Sequence, residues 1–172
     1  RFCSYCIIPF TRGPVRSRKL ENIKEEVGRI VKNGYKEVVL TGIHVASYGK
    51  DSGDMSLIDV IESIAEIEGL ERIRTSSVEP LIITEEFVQR LGAVDKFCPH
   101  FHLSLQSGSD SVLSRMNRRY TSQEYREAVN TIRRTFPYAA ITTDVIVGFP
   151  EETDQEFEQT YEFLKELKLY ET

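Results

Sequence analysis

The chain is 172 residues long, 40% hydrophobic and 28% charged, with a formal net charge of −5. That length fits one domain able to bury about 70% of its unfolded surface, so disulfide staples are not required. The acidic balance argues against a surface that grips nucleic acid all over, and no apolar run approaches the ~18 residues of a membrane helix.

The first residues do not read as a secretory signal, so the expected location is the cytoplasm. Three cysteines make an odd number, which fits no closed disulfide framework. Cys3 and Cys6 stand close behind an Arg1-Phe2 start that lacks an initiator methionine. The chain therefore reads as a piece of something longer, a single domain over residues 1–172 truncated at both ends.

Helices and strands take turns along it. Leu20, Ile23, Val27, Ile30 and Val31 recur at helical spacing, and Asn33-Gly34 is a helix stop. Glu37 to Gly42 is short, β-branched and almost wholly apolar, as suits a strand buried on both faces. A second helix carries Leu57, Ile58, Ile61, Ile64, Ala65 and Ile67 inward, with Gly69 past its end. Arg72 to Val78 is the second strand, Thr84 opens a short helix through Leu91, and Phe101 to Gln106 is the third strand. Thr121 with Glu124, and Thr153 with Glu156, are capping boxes for two further helices. Ala140 to Val147 between them is the fourth strand, and Lys168 to Thr172 begins one more.

This alternation predicts an α/β fold with right-handed crossovers and a parallel sheet, either doubly wound or closed as a barrel. No glycine-rich phosphate loop follows any strand, which weakens a doubly wound nucleotide-binding reading. Chemistry in such folds gathers at the carboxyl ends of the strands. Those ends carry Thr41, Gly42 and His44; Ser77 and Glu79; Gln106, Ser107 and Gly108; and Gly148 with Pro150. Small turn residues explain any one set, but four together favour a site.

Cys3-Ser4-Tyr5-Cys6 alone is ambiguous among a redox dithiol, half a zinc site and two cluster ligands. A zinc-binding nucleic-acid module would need Cys98, His100 or His102 as partners. Cys98 and His100 precede the third strand, at the amino end of the sheet, whereas the cysteine loop belongs to the opposite end. Cys98 reads better as a buried small hydrophobe, and the two histidines as packing or strand residues.

The run Arg1 to Phe10 resembles the end of the C-x-x-x-C-x-x-C loop of radical S-adenosylmethionine methylthiotransferases. The resemblance continues through Arg12-Gly13, Arg16-Ser17-Arg18, Leu40 to His44, Arg74 to Pro80, Leu105 to Asp110, Met116 to Thr121 and Asp144 to Pro150. It spans essentially the whole chain in order. One departure is Glu151, where the family usually has glycine. The motif's first cysteine would stand two residues upstream of Arg1.

The resemblance implies a partial (β/α) barrel lacking its first strand and its last βα units. It also implies a 4Fe-4S cluster held by Cys3 and Cys6 with the upstream cysteine, and S-adenosylmethionine chelated at the open iron. Two ligands seldom hold a cluster, so the fragment by itself is expected to carry neither group and to be inactive. Tyr5 would pack near the adenine, Thr41 and Gly42 would meet the methionyl amino group, and Arg118 its carboxylate. Ser77, Glu79 and Gln106 would face the ribose and sulfonium end, and Val147 with Gly148 the adenine. A surface ion pair is the plain alternative for Glu79 and Arg118. Gly42-Ile43-His44 and Ser76 to Pro80 look most like the branch acting on threonylcarbamoyl-adenosine beside the anticodon of transfer RNA. The sister branch acting on isopentenyl-adenosine carries Gln-Asn after that glycine. Arg12, Arg16 and Arg18 would meet substrate phosphates, with His44 also facing substrate. A flavodoxin or ferredoxin would donate electrons.

Overall fold

The computed structural model describes residues 3–172, so Arg1 and Phe2 of the cysteine-loop motif lie outside the described residues. Strand β1 (Glu37–Leu40) pairs in parallel with β2 (Arg72–Thr75), and β3 (His100–His102) pairs in parallel with β4 (Ala140–Thr142). Parallel bridges Ile73–Phe97 and Val78–Leu103 join the two pairs, and Thr142–Glu171 adds the expected last segment as a single bridge. Each segment is thus laid beside its predecessor in chain order. Among the described strands the order does not reverse, so no doubly wound switch point lies among them.

Helices α2 (Leu20–Lys32), α3 (Leu57–Ala65), α4 (Glu85–Gly92), α6 (Ser122–Thr135) and α7 (Asp154–Leu167) follow the helical apolar spacing. Both expected capping boxes form: Thr121 N–H donates to Glu124 Oε2 at 2.7 Å, and Thr153 N–H to Glu156 Oε2 at 2.9 Å. A third, Ser56 with Asp59, opens α3. Two short helices were not legible in the spacing, α1 (Ile8–Arg12) and α5 (Asp110–Arg115). At five and six residues they are too short to repeat a pattern. No helix is long and apolar enough to cross a membrane.

One face of the sheet is buried under helices, through Val38, Ile73, Phe101 and Ile141. The other face departs from the expectation of strands buried on both sides. It is polar: Glu37 takes Arg72 Nε at 2.8 Å and Arg74 Nε at 3.0 Å, and His102 Nδ1 meets Thr142 Oγ1 at 3.0 Å. Val39 on that face is 44% exposed. Strand alternation sorts the residues into an apolar set under the helices and a polar set on the other face.

Beyond His102 the third strand's pairing continues only as isolated bridges, with Leu103 N–H donating to the Thr142 carbonyl at 2.8 Å and Gln106 N–H to the Asp144 carbonyl at 3.0 Å, while the Leu105 N–H between them turns to Thr143 Oγ1 at 3.0 Å. The Leu103 carbonyl accepts from Tyr125 OH at 2.9 Å and Thr143 Oγ1 at 2.7 Å. Tyr120 OH donates to the Ser104 and Leu105 carbonyls at 2.9 and 2.8 Å. The chain then turns at Gln106, with φ +72°, into the carboxyl-end loops.

Candidate functional site

The cysteine loop is a tight turn, closed by the Cys6 N–H donating to the Cys3 carbonyl at 3.0 Å. It is pinned to the end of α5: Ser4 N–H donates to the Met116 carbonyl at 3.1 Å, and Ser4 Oγ to the Arg115 carbonyl at 2.9 Å. Both thiols are free and half-buried. The turn therefore presents two soft sulfur donors from a fixed backbone.

Tyr5, between them, is tied to Arg118, which follows α5, and to Gln106 beyond β3. Arg118 Nη2 donates to Tyr5 OH at 2.5 Å, and Tyr5 OH donates to Gln106 Oε1 at 3.4 Å. Arg118 lies 5.8 Å from the Tyr5 ring centre and 5.9 Å from that of Tyr120, with Phe149 edge-on to Tyr5 at 6.0 Å. Its side chain is only 12% exposed and sits 3.9 Å from Glu79, itself 11% exposed. Glu79 Oε2 in turn meets His44 Nε2 at 3.0 Å, and His44 Nδ1 bonds Ser47 Oγ. Glu79 and Arg118 do pair, but as a buried link rather than a surface one.

The electrostatics follow from this enclosure. Burial works against the Arg118 charge, yet Tyr120, Cys3 and Tyr5 around it hold its pKa above the usual arginine value. Burial pushes the Tyr5 phenol up against the pull of Arg118, and pushes Tyr120 above the usual tyrosine range.

Five expected residues thus form one connected group: Tyr5, Gln106, Arg118, Glu79 and His44. Thr41, Gly42, Ser77, Val147 and Gly148 are exposed residues of the loops beyond β1, β2 and β4. Gly148 holds φ +70°, and a Cβ there would point into open space, leaving room for a flat ligand beside Val147. Arg12, at the end of α1, and Arg16 and Arg18, on the segment after it, are exposed. That segment is fastened to the loop beyond β1 by Ser17 N–H to Asp51 Oδ2 at 2.8 Å and Tyr48 OH to the Arg18 carbonyl at 2.7 Å.

Some strand-end residues have a different job. Ser107, Gly108 and Ser109 are buried and dock α7, with Ser107 Oγ 3.0 Å from Thr160 Oγ1 and the Gly108 N–H donating to it at 3.1 Å. Tyr120 and Phe149 were not singled out from the sequence, although both flank motif residues that were. Cys98 is half-buried rather than buried. Among the described residues no three His, Cys, Asp or Glu side chains gather as a metal site. Cys98, His100 and His102 therefore do not join Cys3 and Cys6, and the zinc-module alternative lacks its ligands.

The residues present fit a cluster and S-adenosylmethionine. Soft thiolates suit iron, and Arg118 Nε is buried with no hydrogen-bond partner among the described residues. An orphaned guanidinium donor costs free energy unless a ligand supplies an acceptor, and a carboxylate is the best match.

The chain matches the radical SAM superfamily over residues 1–164. It is 45% identical to the tRNA-2-methylthio-N(6)-dimethylallyladenosine synthase of Clostridium tetani, covering 97% of this chain and 37% of that protein. It is 44% identical to the threonylcarbamoyladenosine tRNA methylthiotransferase MtaB of Bacillus subtilis, covering 99% of this chain and 38% of that protein. The chain thus spans less than two fifths of the length of these relatives. The radical S-adenosylmethionine methyltransferase TsrM of Kitasatospora setae shares the fold, with TM-score 0.78 at 17% identity over 97% of this chain and 32% of TsrM.

Proposed function

The chain belongs to the radical SAM superfamily, and from that premise we propose that it is the core of a tRNA methylthiotransferase. Its parent protein would add a methylthio group to a hypermodified adenosine beside the anticodon. In this reading residues 1–172 are a core fragment, with a further cluster-ligating cysteine contributed from upstream. The carrying observation is the Arg118–Tyr5–Gln106 chain, in which Arg118 is enclosed, anchored on the Cys3/Cys6 turn at the carboxyl ends of the strands.

When bound, the cluster and S-adenosylmethionine supply one-electron cleavage of the sulfonium. The chain's own residues bind and orient. Cys3 and Cys6 would hold iron, and Arg118 would take the methionyl carboxylate through its unmatched Nε. Tyr5 and Phe149 offer ring faces for the adenine, beside Val147 and Gly148. Thr41 and Gly42 would meet the amino group, while Ser77, Glu79 and Gln106 would face the ribose end. Arg12, Arg16 and Arg18 would meet substrate phosphates, and a flavodoxin or ferredoxin would deliver the electron.

The identities, 45% and 44%, do not separate the two adenosine classes named in the relatives. The threonylcarbamoyl reading rests on His44 and on Ser76 to Pro80. The test is anaerobic iron–sulfide reconstitution of the chain extended upstream past the proposed cysteine. About four irons with matching sulfide are expected, lost in Cys3→Ala or Cys6→Ala. Zinc near one per chain without labile sulfide would overturn the reading.

A further inference from the structure

Helix α5 closes on Asn117, a left-handed residue at φ +57°. The Asn117 and Arg118 N–H groups donate to the Ser114 and Leu113 carbonyls, both at 2.9 Å, which is the closed helix end that such a residue makes. That closure leaves the last two carbonyls, of Arg115 and Met116, to outside donors. Ser4 of the cysteine turn supplies both, Oγ to Arg115 at 2.9 Å and N–H to Met116 at 3.1 Å. The turn between Cys3 and Cys6 is therefore the outer cap of α5, and Arg118 leaves the same helix end directly after Asn117. The position of this helix end sets how the two thiols stand relative to the Arg118 guanidinium.

Two kinds of contact hold α5. Val112, Leu113 and Met116 bury its inner side, and apolar burial is non-directional. On its other side Arg115 Nη1 and Nη2 donate to Glu156 Oε1 and Oε2, each at 2.9 Å, and Ser111 Oγ also donates to Oε1. The pair is largely enclosed, with Arg115 29% and Glu156 13% exposed. Paired bonds of this kind fix direction as well as distance. Glu156 belongs to the first turn of α7, where it also completes the capping box with Thr153.

We propose that Glu156 is a positioning residue for the cofactor site. Through its paired bonds to Arg115 it fixes the end of α5, and with it the placement of the cysteine turn relative to Arg118. The inference rests on the reading that places the cluster at Cys3 and Cys6 and the S-adenosylmethionine carboxylate at Arg118. A ligand that must meet iron and guanidinium together tolerates little displacement of either, so a loosened helix end weakens its binding.

The test is equilibrium binding of S-adenosylmethionine to the reconstituted parent protein, with the EPR spectrum of the reduced cluster recorded before and after its addition. Glu156→Gln removes the ion pair but keeps the capping box, which accepts glutamine as well as glutamate. It is expected to hold iron and sulfide like the unaltered protein, to bind S-adenosylmethionine about tenfold more weakly, and to shift the g values of the bound signal. Arg115→Lys keeps the charge without the paired bonds, and should reproduce both effects even where Glu156→Gln fails to fold. Thr153→Ala weakens the α7 cap yet leaves Glu156 on Arg115, so it should lower the melting temperature and leave affinity and spectrum unchanged. Unchanged affinity and spectrum in a folded Glu156→Gln or in Arg115→Lys, or an equal loss in Thr153→Ala, would overturn the positioning role. Arg118→Lys separates the two readings. If it too binds normally, the cofactor placement itself falls; if it alone is weakened, only the role of Glu156 falls.

Discussion

Arg118 is held by weak partners in a buried place: a phenol at 2.5 Å, a carboxylate at 3.9 Å and two ring faces. Its planar fork holds Nη2 toward Tyr5 and leaves Nε for a ligand carboxylate, two fixed directions that the single nitrogen of a lysine does not reproduce. In its proposed role, Arg118→Lys is expected to weaken S-adenosylmethionine binding by ~1.5–3 kcal/mol, roughly ten- to hundredfold. Titration of S-adenosylmethionine into both proteins checks this, and equal affinities would remove Arg118 from the cofactor site. Glu151 teaches a different lesson at the same scale. It adopts φ +65°, which explains why the resembling family places glycine there. The turn survives the substitution, helped by Arg115 Nη2 donating to the Glu151 carbonyl at 3.3 Å, a bond to backbone that any residue offers.

Elements are joined to the site by close approaches that the sequence shows only as small residues. Gly108 lets α7 lie against the loop beyond β3: a Cβ there would come within 2.9 Å of the Thr160 backbone and of Phe163 Cβ. Gly108→Ala is expected to cost about 1–3 kcal/mol through forced displacement of α7. A lowered denaturant midpoint would show it, and an unchanged one would mean that α7 moves freely. At the start of α3, Ser56 first and Arg90 second pull the Asp59 carboxyl down from 3.8 to about 2. A depressed folded-state pKa gives stability that is full above the unfolded value and is lost as pH falls from 3.8 through about 2. Asp59→Asn should therefore flatten the acid limb of a urea-midpoint-versus-pH curve between those values. An unaltered limb would assign acid unfolding to other carboxylates, such as Glu156, which Arg115 and Ser111 hold below the ordinary range.

At the scale of the molecule, one core lies under the helix-covered face of the sheet and leaves polar side chains on the other face. Its aromatic centre is Phe97, Phe101 and Phe136, with ring centres 5.6 to 6.2 Å apart. These rings bring together β3 and the chain following α4 and α6. Phe101 is 1% exposed, so Phe101→Ala is expected to cost about 3–5 kcal/mol. Against the ~5–15 kcal/mol typical of a domain, that is a large share. Thermal unfolding measures it, and a shift near zero would mean that the sheet's segments are held apart from this core.

The sequence by itself determined the alternation of helices and strands, the two capping boxes and the Cys3/Cys6 turn, because these depend on local spacing and on hydroxyl–carboxylate pairs three residues apart. It also pointed to Tyr5, Gln106, Arg118, Glu79 and His44, which sit in order within motifs resembling one family. Only the tertiary structure decided that these five connect, since their contacts span up to 113 residues of chain. It alone separated Gln106, which reaches the site, from Ser107 and Gly108, which dock α7, because adjacent small residues read alike until something packs on them. It alone left Val39 of β1 exposed, since whether an apolar run is covered on both sides depends on what lies against its second face. And it alone brought His44 against Glu79, where residues from two separate loops meet through the winding of the sheet rather than through any pattern in the chain.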